Sequence, residues 1–142
     1  MKRHITEIIL HCTATRAGKD FSATDIDTWH RKRGFNGIGY HWVIRLDGTI
    51  ERGRPEERIG AHCVGHNAHS IGITYVGGLD TQGNCADTRT SPQKESMAAL
   101  VEKLCQENPG ATVHGHNEFA AKACPCFNAR KEYSHLEIKK LQ

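Results

Sequence analysis

Three side chains in this sequence, His11, His116 and Cys124, are of the types that bind a transition metal through imidazole nitrogen or thiolate sulfur. Two imidazoles and a thiolate fill three positions of a tetrahedral zinc ion and leave the fourth open, which is what a catalytic zinc needs to reach water or a substrate carbonyl. The three come from separate stretches of chain, so no local spacing proves a site. Taken singly, His11 also fits a polar strand terminus and Cys124 a small buried hydrophobe. His114 rivals His116, because alternate residues of the extended run HGH face the same side.

The elements that must position these groups can be read from the hydrophobic pattern. EIILH, Glu7 to His11, is short, apolar and β-branched and precedes a polar loop from Thr13 to Asp20, which predicts a buried strand with His11 at its end. Ser22 and Thr24 are candidate N-caps of a helix running to about Arg33, with Ile26 and Trp29 on one face and Gly34 as the stop. YHWVIR and TIER flank an LDG turn and predict a β-hairpin, placing Tyr40, Trp42 and Ile44 on one face and His41, Val43 and Arg45 on the other.

Downstream, Arg54 to Asn67 has no periodicity and is expected to be a loop before a strand from Ser70 to Val76, ended by Gly77 and Gly78. Ser91 and Pro92 open a helix striped by Leu100, Val101 and Leu104 and stopped by Pro109 and Gly110. Thr112 to His114 suggests a short strand, GHNEFAAKACPCF a loop, and Asn128 the entry to a last helix. The pattern predicts an α/β fold: a single domain, residues 1–142, with a central mixed β-sheet flanked by helices.

Composition narrows the function classes. The net charge of +3 is too small and diffuse to argue for nucleic acid, and no apolar run is long enough to span a membrane. The basic start MKRHITEIILH lacks the apolar length and cleavage site of a signal peptide, so a cytoplasmic location is expected. Six cysteines at irregular spacing, without a CxxC pair, suggest mostly reduced thiols.

The order of the motifs is more specific than any one of them. HCTAT from His11, the helix around Trp29 and His30, GYHWVIRLDGTIERGR from Gly39, SIGITYVGG from Ser70 and HNEFAAKACPCF from His116 together resemble the type-two N-acetylmuramoyl-L-alanine amidase family, and within it the small phage endolysin amidases. The resemblance covers nearly the whole chain. It implies zinc bound by His11, His116 and Cys124, with Tyr40 and Lys122 as catalytic side chains, and bacterial peptidoglycan as the substrate. The family's interval to Lys122 and Cys124 favours His116 over His114. His62, in GAHCVGHN, is a candidate substrate contact, beside the alternative that it caps its own loop, and His41 is expected to be a packing residue.

The last motif departs from the family at Cys126 and Asn128, where serine and aspartate are expected; Cys126 is taken as structural. Proteins of the same fold that lack the cysteine ligand bind peptidoglycan without cutting it, which makes a non-catalytic recognition module the alternative function. The chain is expected to act as a monomer, and a contact with RNA polymerase is not claimed.

Overall fold

The computed structural model describes residues 2–140. Strand β1 (Glu7–Cys12) is the inner strand predicted by its apolar run, and it is joined in sequence by the short β2 (Thr15–Arg16), helix α1 (Ala23–Lys32) and the hairpin β3 (Trp42–Ile44) and β4 (Ile50–Arg52). The chain continues through β5 (Ser70–Tyr75), β6 (Gly78–Leu79), α2 (Ser91–Glu107), β7 (Thr112–Gly115) and α3 (Ala129–Tyr133).

Five strands form the main sheet in the order β4-β3-β5-β1-β7, with only the β3–β4 pair antiparallel. The sheet is therefore mixed, as the sequence predicts, and β2 and β6 form a small parallel pair apart from it. Among the described residues no helix is long and apolar enough to cross a membrane.

The two faces of β1 part according to the two-residue period of a strand. Ile8, Leu10 and Cys12 join the larger core with Ile71, Ile73 and Tyr75 of β5, Met97, Leu100, Val101 and Leu104 of α2, and Ala129 and Tyr133 of α3. Each fully buried aliphatic side chain there contributes about 2 kcal/mol by leaving water. The opposite face carries Ile9 and His11, and a smaller cluster on that side gathers Ile26 of α1 with Ile38, Val43 and Val76.

Local caps explain the helix boundaries. Ser22 accepts from the Asp25 backbone N–H while the Asp25 carboxylate accepts from that of Ser22, and Gly34 follows at φ +95°. The N-cap of α2 is Thr90, one residue before the expected Ser91, because Thr90 and Gln93 form the reciprocal pair.

The hairpin is shorter than expected, and this moves Tyr40. The chain bends at His41 ahead of β3, so Tyr40 packs with the cluster of Val43, away from Trp42 and Ile44. Gly39 permits the close approach of Ala61 beside the bend: a Cβ there would lie 2.1 Å from the Ala61 carbonyl oxygen, and the Gly39 carbonyl accepts from Ala61 N–H at 3.0 Å. Only glycine permits that approach.

His41 fastens the bend as a buried packing residue. Its Nδ1 accepts from Gly72 N–H at 3.0 Å and its Nε2 donates to the Arg58 carbonyl at 2.9 Å. Burial above all holds its ring pKa down to about 4, against 6.5 when free. The folded state thus binds fewer protons than the unfolded one between these values, so stability is whole above about pH 6.5 and falls as pH drops toward 4. The loss from this group approaches about 1.4 kcal/mol per pH unit. Chemical denaturation across that range should show the decline, and His41→Gln, without a titrating ring, should show a shallower one; an unchanged slope would contradict the assignment.

Candidate metal centre

His11 sits one residue from the end of β1, 1% exposed, on the face that α2 does not cover. The end of β7 leads directly into a single 3-10 turn, His116–Glu118, and the following loop returns Cys124 to the end of β1. The ligand atoms of His11, His116 and Cys124 all lie within 4.8 Å of one another, and Cys124 Sγ is 3.8 Å from His11 Nδ1. Zinc bonds of about 2.1 Å to nitrogen and 2.3 Å to sulfur in a tetrahedron separate such donors by roughly 3.5 Å. The donor set fits zinc in kind and needs only a small closure in distance.

His114 is engaged in bonds of its own. Its Nε2 faces Thr112 Oγ1 at 2.7 Å and its Nδ1 faces the Glu118 carboxylate at 2.8 Å, so both ring nitrogens are occupied.

A chain of neutral rings orients His11. Its Nε2 is 2.8 Å from His62 Nδ1, and His62 Nε2 is 3.3 Å from Ser70 Oγ. Burial lowers the pKa of His11 well below the usual value, with His62, His116 and Lys122 adding to the effect, and burial likewise holds His62 down to about 3. Each ring then carries one proton near neutral pH. With His11 Nε2–H donating to His62 and His62 Nε2–H donating to Ser70, His11 Nδ1 is left with its lone pair toward Cys124. Gly72 makes room for this arrangement, since a Cβ on it would lie 2.6 Å from the His62 ring.

Cys124 accepts from the Cys12 backbone N–H at 3.2 Å. Its hydrogen bond with the Cys12 thiol and its burial push the Cys124 thiol up, so a cation at the site is what favours the thiolate. The loop is clamped just beyond it: the Tyr75 hydroxyl donates to the Pro125 carbonyl at 2.7 Å, and Arg89 lies 3.5 Å above the Phe127 ring. Arg89 is itself held by ion pairs to Asp87 and Glu132 at 2.9 and 2.7 Å.

A cleft of about 310 Å³ opens beside the donors, lined among others by Tyr40, His62, His116, Phe119 and Lys122. The Tyr40 ring lies 5.1 Å from that of His11, and burial raises its phenol pKa, keeping the hydroxyl protonated. Lys122 is exposed at the cleft wall, and its charge contributes to the lowered pKa of His11 and of His116. Thr74, paired in the sheet with His11, has a buried hydroxyl without a partner among the described residues, so the floor of the site keeps a polar atom available.

Residues 1–127 match the family model described as N-acetylmuramoyl-L-alanine amidase. The chain belongs to the N-acetylmuramoyl-L-alanine amidase family. It is 37% identical over 131 residues to the endolysin of Escherichia phage T7, covering 92% of this chain and 87% of that one. The endolysin of Klebsiella phage KP32 is 35% identical over 137 residues, 96% of this chain and 91% of its own length. Among solved structures, the N-acetylmuramoyl-L-alanine amidase LysC from Clostridium intestinale superposes with a TM-score of 0.77 at 33% identity, covering 92% of this chain and 82% of that one.

Within this amidase fold the structure adds a disulfide and a further residue. Four of the six thiols, Cys12, Cys63, Cys105 and Cys124, are free, in line with the expectation of mostly reduced thiols, while Cys126 is disulfide-bonded to Cys85, 41 residues earlier. The bond leaves Cys126 without a free thiol, and Asn128 caps α3 through Oδ1, which accepts from the Lys131 N–H at 3.0 Å. His30, which the sequence offered no reason to single out chemically, accepts from the Gly39 N–H at 2.9 Å and packs its ring 5.4 Å from that of Tyr40. It ties α1 to the bend that presents the phenol.

Proposed function

We propose that this amidase is a zinc-dependent phage or prophage endolysin that hydrolyses the amide bond between N-acetylmuramic acid and L-alanine in bacterial peptidoglycan. The observation that carries the zinc reading is the convergence of His11, His116 and Cys124 at one cleft, their donors within 4.8 Å although the residues lie up to 113 positions apart. Zinc held by these residues supplies a Lewis acid that polarises a carbonyl and makes water a stronger nucleophile near neutral pH.

The protein groups act around that centre. As the amide carbon is attacked, negative charge gathers on the former carbonyl oxygen of the lactyl group, and the Lys122 ammonium at the cleft wall stabilises it. The Tyr40 hydroxyl, kept protonated by burial, donates a hydrogen bond to the attacking water or the departing L-alanine nitrogen. His62, with both ring nitrogens engaged, is better placed to hold His11 in its ligating tautomer than to bind substrate directly.

Protein purified without chelator should carry about one tightly held zinc per chain, by elemental analysis, because two imidazoles and a thiolate match its coordination preference. His11→Ala should lose that metal. A wild-type protein free of zinc would contradict the reading.

A further inference from the structure

Glu7 begins β1 on the same face as His11, about 13 Å away along the strand. One of its carboxylate oxygens, Oε1, lies 2.9 Å from His66 Nδ1 and 3.0 Å from His69 Nε2, and the three ligand atoms are all within 4.8 Å of one another. Nothing in the proposed amide hydrolysis uses these groups.

The cluster is braced by its neighbours in the fold. Glu7 is fixed between two neighbouring strands, opposite Ser70 of β5 and Thr112 of β7. His66 caps the start of a single 3-10 turn, Asn67–His69, whose last residue is His69, and the Thr6 N–H donates to the His69 carbonyl at 2.9 Å. The Arg3 guanidinium donates to the carbonyls of Asn67 and Ser70 at 3.2 and 3.0 Å, bracing the turn. The His66 ring stacks on Phe119 at 3.9 Å with an interplanar angle of 21°, which fixes the direction of Nδ1. Donors fixed by their surroundings lose little freedom when an ion arrives.

We propose that Glu7, His66 and His69 form a second metal site, distinct from the centre at His11, for a divalent transition cation of the zinc class. Two imidazoles and a carboxylate suit zinc, nickel or copper, with water completing the shell. The site binds more weakly than the first because it lacks a thiolate and its side chains keep 16% (Glu7), 28% (His66) and 41% (His69) of their surface exposed. Its position gives it a mechanical consequence. An ion there joins the start of β1 to the turn before β5 and, through the His66–Phe119 stack, to the loop after His116 that forms one wall of the cleft.

The test is titration of metal-free, full-length protein with zinc chloride, followed by calorimetry against a competing chelator. Two affinity classes are expected. In Glu7→Gln and in His66→Ala/His69→Ala the weaker class should fall by more than about tenfold, since loss of even a supporting residue costs about that much, while the tighter class persists and shows that the variants fold. Cobalt gives an independent readout: the first equivalent should carry a thiolate charge-transfer band, and the second should add ligand-field absorption without increasing that band. A single class in the wild type, or a weaker class unchanged in the double histidine variant, would overturn the second site. Absence of the thiolate-bearing class would instead count against the zinc centre at Cys124.

Discussion

Cys124→Ser is expected to weaken zinc binding by at least about a hundredfold and to abolish most amidase activity while leaving the fold intact. A thiolate neutralises part of the ion's charge and binds it strongly, whereas a serine hydroxyl stays protonated near neutral pH and is a poor ligand. The fold survives because the core around β1, β5 and α2 is assembled from Ile8, Leu10, Ile71, Ile73, Leu100 and Val101 without help from the metal. Peptidoglycan binding should persist in part, since the cleft offers many groups besides the metal ligands. Cys126→Ser is the control. It removes the bond to Cys85 but leaves the Tyr75–Pro125 hydrogen bond and the Arg89–Phe127 stack, so zinc and activity should both be retained. Loss of metal in Cys126→Ser with retention in Cys124→Ser would reverse the ligand assignment.

Lys122→Ala and Tyr40→Phe should each slow turnover by about a hundredfold or more, with the zinc content unchanged. That factor corresponds to about 2.7 kcal/mol of transition-state stabilisation. Lys122 is exposed, so its removal should alter stability by less than about 0.5 kcal/mol and the effect should appear in kcat. Tyr40→Phe keeps the ring against the cluster of Ile26, Ile38 and Val43 and removes only the hydroxyl. Single-turnover rates with zinc measured on the same samples check both variants; near-normal rates would contradict the roles assigned.

The elements were legible in the sequence wherever local chemistry decides them. The apolar run before His11, the Ser22 cap, the LDG turn and the Leu100 stripe each encode their structure within a few residues, and the structure has a strand, a helix, a hairpin and a helix there. What was not legible depends on contacts between distant segments. The face of Tyr40 follows from the meeting of Gly39 with Ala61, which strand alternation cannot foresee. The preference for His116 over His114 rests on Thr112 and Glu118, which engage the His114 ring. The support of His11 by His62 spans 51 residues, and the Cys85–Cys126 bond spans 41 without a spacing signature.

The most direct test of the account is end-group analysis of purified bacterial sacculi digested by the zinc-loaded protein. The fragments released should carry new L-alanine amino termini and no new reducing sugar ends, and removal of the metal should stop their release. New reducing ends, or undiminished release by the metal-free protein, would contradict the claim that this chain is a zinc amidase.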